Sequence, residues 1–407
     1  VRESPDFDTL AHEHIQAWRQ LWQRFDLSIE TKSDSDSMRT SLILHLHSFH
    51  VLQTVSPNSV DFDAGIPARG WTGEAYKGHV FWDELFVFPF LNLHMPEISR
   101  ALLRYRFRRL DEARKLAKEL GANGARYPWE SGSSGREETP RIYFSETRQE
   151  WLPEHTYRQV HVNAAIAYNI WHYWQVSSDL EFLSDCGAEM LLEIARFFAS
   201  FAKYNPERDR YEIHGVVGPD EYHSGYPDSV VPGINNNAYT NLTAVWTLCR
   251  ALELLQMLPT DRREQICSRI ELTNDEISLW DSTSRKMFIP MREDGIIYQF
   301  DGYEKLDDFP WKKNGALDID RVHDLLNSQG GHLNQYKVSK QPDVLMLYYL
   351  FSVDELAELF KRLGYQFDAE NIAKNVEYYI KQTVSDSTLS RVATVWVLSR
   401  MDRFHAW

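Results

Sequence analysis

AEMLLEIARFFASFAKY, residues 188–204, decides the fold class. Its apolar side chains recur three and four positions apart, and no Gly or Pro interrupts the run. That is the period of a helix with a broad buried face, not the alternation of a half-buried strand. Working outward, the same period returns over 98–120, where Leu102, Leu103, Leu110 and Leu116 mark one side and Gly121 fits the stop. It returns again over 237–258 and 371–384, and it predicts further helices over 9–26, 38–55, 79–94, 159–176, 261–280, 343–351, 354–363 and 387–401. Roughly a dozen helices in consecutive pairs result.

Between the helices lie long segments rich in Gly, Pro, Ser and charge: 56–78, 121–158, 205–236 and 285–342. Loops of that length inside a compact domain usually carry function. Short strand pairs fit within them, for example Tyr211–Val217 and Ile296–Phe300. About six helical hairpins closing on themselves would make an all-α (α/α)6 toroid with minor β hairpins. An open helical array would show the same alternation. No low-complexity linker splits the chain, so 1–407 reads as a single domain, with 1–35 as a linker helix.

Composition narrows the function. With 59 acidic against 44 basic residues, the formal net charge of −15 argues against nucleic acid. An anionic substrate would need a locally positive pocket. The 13 Trp, 20 Tyr and 21 Phe serve core packing or stack on sugar rings, and composition by itself favours packing. Cys186, Cys249 and Cys267 form no CxxC pair or disulfide ladder, which points to a reducing, cytoplasmic setting. No apolar run approaches membrane-spanning length. The chain begins at Val1 and reads as a trimmed segment, so the lack of a signal peptide says little about location. Asn241-Leu242-Thr243 is a formal glycosylation sequon of the kind chance produces.

Six constellations could carry chemistry. In GVVGPDEYH (215–223), Gly218-Pro219 forces a turn, followed at once by Asp220 and Glu221. A carboxylic acid on a rigid turn beside aromatic rings can be desolvated and kept protonated, as a general acid must be; an ordinary surface turn would carry the same two carboxylates. In GEAYKGHVFWDE (73–84), Trp82 can stack on a pyranose and Asp83 can accept from vicinal hydroxyls. A buried Trp beside a helix N-terminal carboxylate would look the same. Lys340 and Gln341 supply a charged donor and a mixed donor and acceptor, with Pro342 and Asp343 fitting a helix start. Ser387, Thr388 and Ser390 open a helix whose free N–H groups make an anion site, or simply an N-cap. Trp129 and Glu130 in YPWESG (127–132), and His161 at a helix start, could line a cleft or pack. His45, His47 and His50 lack metal-ligand spacing, there is no phosphate-binding GxxxxGK[ST], and SGSSG (131–135) reads as a flexible loop, so no metal is expected.

Together, GEAYKGHVFWDE, YPWESG, GPDEYH with NNNAYTN (235–241), and KQPDV (340–344) resemble glycoside hydrolase family 65 in order and spacing, from about Gly70 to Leu398. That family includes maltose, trehalose, kojibiose and nigerose phosphorylases and some hydrolases such as acid trehalase. The resemblance implies an (α/α)6 barrel, with Glu221 as general acid and Trp82, Asp83, Lys340 and Gln341 holding a glucosyl unit. It also implies a phosphate-binding segment at Ser387, Thr388 and Ser390, and places Trp129, Glu130 and His161 toward the aglycone. A β-sandwich and a small β domain usually flank the family's barrel, and the expectation from the extent of the resemblance is that residues 1–407 hold the barrel without them. Residues 224–234 form a longer segment than in the simplest members, and Pro342 stands where many members have Ala.

The expected reaction is inverting phosphorolysis of an α-linked glucose disaccharide to β-glucose 1-phosphate. Inorganic phosphate is the nucleophile and no cofactor is needed. An inverting hydrolase would need a base opposite the acid, for which Asp386 is the candidate. A carbohydrate-binding barrel without chemistry, or a barrel inactive without its flanking domains, are the other readings. The partners expected are the disaccharide and phosphate, with no nucleic acid and no membrane; a homodimer is compatible with the sequence.

Overall fold

The apolar period governs local structure through most of the chain. In a computed structural model, residues 5–31, 33–71, 75–145, 149–310, 333–384 and 387–400 are described, and they are mainly helical. The chain divides into two compact units, residues 1–106 with 172–179, and residues 107–171 with 180–407.

The first unit contains α1 (Phe7–Phe25), α2 (Asp34–Thr54), α3 (Glu84–His94) and most of α4 (Pro96–Phe107). Helix α1 falls in the stretch read as a linker helix. It starts where Asp6 accepts the Thr9 N–H at 2.9 Å, a side-chain cap on an otherwise orphaned donor. Ring contacts hold the unit together: Trp18 packs on Phe49 at 4.9 Å and Phe25 on Phe90 at 5.1 Å between centroids. Helix α3 begins five residues later than the predicted 79–94. The cause is tertiary: Glu84 turns inward, where Arg106 of α4 donates to its Oε2 from Nε at 3.0 Å and from a terminal nitrogen at 2.8 Å. The same guanidinium donates to the Phe81 carbonyl at 3.2 Å, so one buried cation holds the segment from Phe81 to Glu84.

The predicted single helix over 98–120 is two helices, α4 and α5 (Leu110–Glu119). No Gly or Pro marks the break. Arg109 leaves helical geometry at φ −105°, ψ 10°, and its guanidinium donates to the Gly132 and Ser133 carbonyls at 3.2 and 2.8 Å. A long-range polar contact thus overrides an unbroken local period.

In the second unit, α6 (Val162–Ser177, up to Trp171) precedes α7 (Ala188–Phe201) and α8 (Ala238–Met257). From Ala238 to Leu248 every residue of α8 is buried, and polar side chains among them are bonded within the fold: Thr243 donates to the Tyr239 carbonyl at 2.7 Å, Thr247 to the Thr243 carbonyl at 2.9 Å and Asn241 to the Phe288 carbonyl at 2.8 Å. Asn237 caps it, accepting the Thr240 N–H at 2.9 Å. Helix α7 and α10 (Asn274–Lys286) pack on α8. The predicted helix over 261–280 is divided between α9 (Thr260–Arg269) and α10, because Thr273 and Glu276 form a capping box that starts a new helix. The unit closes with α11 (Val344–Leu350), α12 (Val353–Leu363), α13 (Ala369–Ile380) and α14 (Thr388–Ser399); α11 packs against α8, α13 and α14.

The β structure is small. β1 (Ile142–Ser145) pairs with β2 (Glu150–Pro153), and β3 (Lys203–Asn205) with β4 (Arg210–Glu212), both antiparallel. The expected strands at 211–217 and 296–300 shrink to β4 and to single bridges, Val216 to Ile234 and Ile297 to Met291. These loops spend their backbone groups on side chains instead: Ile297 N–H donates to Asn375 at 2.8 Å, and Gly215 N–H to Asn235 at 3.1 Å.

Candidate active site

The turn Gly218–His223 is fastened by its first carboxylate. Asp220 is buried and accepts the N–H groups of Tyr222 at 2.5 Å and His223 at 3.0 Å. It also accepts from His223 Nδ1 and from Gln299 Nε2. Gly218 is required by proximity, since a Cβ there would lie 2.4 Å from both Asn237 Nδ2 and Asp343 Oδ2. These ties impose φ +64° on Glu221, a left-handed conformation that costs a non-glycine residue roughly 1–2 kcal/mol and persists only where the surroundings over-determine it.

His223 is buried and doubly bonded, with Nε2 donating to the Tyr336 carbonyl at 2.9 Å while Nδ1 faces Asp220. Burial opposes its charged form, but the Asp220 carboxylate and the Tyr336 carbonyl outweigh that and hold the ring above its ordinary value. Asp343 goes the other way. Buried, with the Asp220 charge nearby, it is raised well above the carboxylate range despite donation from Asn237 at 2.9 and 3.1 Å.

Glu221 projects to a cavity of about 400 Å³ lined by Tyr143, Glu154, His155, Val217, Tyr222 and Lys340, among others. Its side chain is 20% exposed, and Oε2 accepts from Lys340 Nζ at 2.6 Å. The acid shares the cavity wall with the rings of Tyr143 and Tyr222, and it also meets a cation that the turn by itself did not announce. Gln341 is half-buried beside Lys340.

The other expected residues are distributed as follows. Trp82 and Asp83 belong to the first unit: Trp82 is 5% exposed, edge-on to Phe86 at 5.7 Å, and Asp83 stands at the N-cap of α3. In the second unit, Trp129 and Glu130 are buried in a loop organised by Glu137, whose carboxylate accepts their N–H groups at 3.0 and 3.2 Å and pairs with Arg126 at 3.0 Å. His161 is fully buried, with Nε2 bonded to Gln159 Oε1 at 2.9 Å and its ring edge-on to Trp129 and Tyr239. Burial pushes it down to about 3, so it is a neutral ring at physiological pH.

Ser387 caps α14, accepting the Ser390 N–H at 3.1 Å, and the two hydroxyls bond at 2.9 Å. Ser390 is buried, whereas Thr388 is exposed. Ser385 and Asp386, the latter the hydrolytic base candidate, lie outside the described residues. The approach to this helix is tied to the lysine segment: Ser339 N–H donates to the Gln382 carbonyl and Val384 N–H to the Ser339 carbonyl, each at 2.9 Å. Three residues of chain span at most about 11 Å, so Ser387 lies within that reach of Val384.

Sequence reasoning missed several participants. Glu154 is a second carboxylate on the cavity, with Oε1 accepting the N–H groups of His155 and Thr156 at 2.8 Å. Gln299 and Ser339 had no motif of their own, and Asn237, although it lies in NNNAYTN at a legible helix start, had been given no role at the site. Among the described residues, no three His, Cys, Asp or Glu side chains converge as metal ligands, and no helix is long and apolar enough to cross a membrane.

Comparison with known proteins agrees with the sequence motifs. Residues 45–406 match the model of the glycosyl hydrolase family 65 central catalytic domain. An uncharacterized glycosyl hydrolase of Mycobacterium tuberculosis is 46% identical over 99% of the chain and 30% of its own length. A kojibiose phosphorylase of Halothermothrix orenii is 38% identical over 94% of the chain and 46% of its own length. A solved structure described as "Putative kojibiose phosphorylase from human microbiome" is 25% identical, with a TM-score of 0.77 over 98% of the chain and 53% of that one. The chain thus spans less than half the length of these curated relatives. It belongs to glycosyl hydrolase family 65, and its fold is all-α, of the (α/α)6 kind.

Proposed function

We propose that this member of family 65 catalyses inverting phosphorolysis of an α-linked glucose disaccharide of the maltose, trehalose, kojibiose or nigerose type. Glu221 protonates the glycosidic oxygen. An oxygen of inorganic phosphate attacks the anomeric carbon from the opposite face, and the products are β-glucose 1-phosphate and a free sugar. Phosphate is itself the nucleophile, so no protein base is required. A hydrolase would need a base to activate water.

The observation that carries this reading is the Glu221–Lys340 contact of 2.6 Å on the wall of a disaccharide-scale cavity. Without substrate, each group satisfies the other. With substrate, the carboxyl turns to the leaving oxygen and the ammonium to a sugar hydroxyl. The phosphate is proposed to bind at the start of α14. There the Ser387 hydroxyl already serves the Ser390 N–H, so the N–H groups of Thr388 and Leu389 and the exposed Thr388 hydroxyl are the anion's natural donors. For Trp82, Asp83, Gln341, Trp129, Glu130 and His161 as sugar contacts, the proposal rests on the family resemblance.

Glu154 favours a second reading, because a second carboxylate on the cavity could activate water. Through one oxygen it accepts two backbone N–H groups, those of His155 and Thr156, which suits a turn-holding role. Incubation with each disaccharide, with and without phosphate, separates the two. Phosphate-dependent release of β-glucose 1-phosphate supports phosphorolysis; equal glucose release without phosphate overturns it in favour of hydrolysis.

A further inference from the structure

Gln299 occupies a position that no motif announced. It is fully buried, on the chain between the Ile297 bridge and Asp301. Its Nε2 donates to Asp220, the residue before Glu221. Its Oε1 accepts from Ser339 Oγ at 2.9 Å, the residue before Lys340. Its own carbonyl accepts the Ala238 N–H at 2.9 Å and Asn237 Nδ2 at 3.1 Å, which anchors it to the start of α8. One amide thus grips the two segments that carry the acid and the lysine.

We infer that Gln299 is a positioning residue for the proposed reaction, setting the Glu221–Lys340 register through Asp220 and Ser339. The chemistry at this point needs one donor and one acceptor on the same planar group. Asp220 offers only acceptors when ionised, and the Ser339 hydroxyl donates; an amide serves both, and neither a carboxylate nor an ammonium can. Asn carries the same group one methylene shorter and does not span the gap. The strained φ of Glu221 makes the device necessary, since a turn held at +64° relaxes when its ties are cut.

The test is Gln299→Leu, which keeps the volume and removes both bonds, together with Ser339→Ala, which removes one. On an α-linked disaccharide with phosphate, kcat for Gln299→Leu is expected to fall on the order of 10- to 100-fold with KM nearly unchanged, since misplacing an acid by about 1 Å has that effect. On α-glucosyl fluoride with phosphate, C1–F breaks as a phosphate oxygen bonds to C1, and fluoride departs without a proton donor. The variant should keep most of its turnover there. Ser339→Ala should show the same selective loss, smaller in size. Equal losses on both substrates, or none on the disaccharide, would overturn the inference. A crystal structure of Gln299→Leu gives a second readout: Lys340 Nζ and Glu221 Oε2 should separate beyond 2.6 Å, and an unchanged pair refutes the positioning role. The inference rests on the phosphorolysis reading for its kinetics only. Wild-type protein inactive on both substrates would sink that reading, while the crystal comparison would still decide whether Gln299 sets the pair.

Discussion

Replacing Glu84 by Ala should destabilise the first unit by about 3–5 kcal/mol, the usual cost of stranding one partner of a buried ion pair. Arg106 and Glu84 are 1% and 3% exposed, so water cannot take over for either. The guanidinium donates to Oε2 of the carboxylate from two nitrogens, while Glu84 Oε1 and one Arg106 terminal nitrogen are buried with no hydrogen-bond partner among the described residues. Among the described residues, the variant would leave the guanidinium the Phe81 carbonyl at 3.2 Å and the Tyr105 ring at 5.7 Å from its centroid, neither of which carries a compensating charge. The imperfect pairing leads to a second expectation. Glu84→Leu with Arg106→Met should recover most of the loss, because a buried pair measured against apolar residues of similar size is worth near zero or less. Two compact units need not unfold together, so the assay is amide hydrogen exchange read over α3 and α4, with urea unfolding as the global check. The effect should fall on the segment that follows Trp82 and Asp83. A cost below about 1 kcal/mol for Glu84→Ala would refute the reasoning, since it would mean that the site is hydrated or collapses freely. A double variant no better than the single would show that the pair itself stabilises the unit.

Further expectations follow from the site. Glu221→Gln keeps an acceptor for Lys340 but no transferable proton, so kcat on a disaccharide should drop by about 10²- to 10⁴-fold while turnover of α-glucosyl fluoride survives; steady-state kinetics with phosphate decide it. Thr388→Val should raise KM for phosphate and leave KM for the sugar nearly unchanged, and the reverse pattern would remove α14 from the phosphate site. Gly218→Ala should destabilise by roughly 1–3 kcal/mol, because its Cβ would fall 2.4 Å from Asn237 and Asp343, and neither side chain is free to retreat. His223 lies above its ordinary 6.5 in the folded protein, so the stability it contributes is whole below 6.5 and is lost as pH rises through the folded value. His223→Asn should remove that slope, and urea unfolding between about pH 6 and pH 9 would reveal a slope that remained.

Much of the helical content could be read directly because it is a local property. A 3.6-residue period of apolar side chains declares a helix wherever it occurs, and α7, α8, α12 and α14 fall where that period runs. The Thr273–Glu276 box was equally local and marks the start of α10, although the period alone runs past it. The break between α4 and α5 carried no such mark, since it depends on carbonyls more than twenty positions away. The family motifs likewise announced which residues to watch. GPDEYH and KQPDV name an acid and a lysine, but not that the two lie 2.6 Å apart across 119 positions.

From its own chemistry the chain determined the fold class, the family, and the kinds of side chain present at each motif, because periodicity, turn residues and motif order are written in consecutive positions. Tertiary structure alone decided which of those side chains meet. Glu221 faces Lys340 because a buried amide at Gln299 joins two loops, and His161 is a neutral packed ring because the helices around it exclude water. Such contacts are made between segments with no sequential relation, so their free energy appears only once the helices have brought them together.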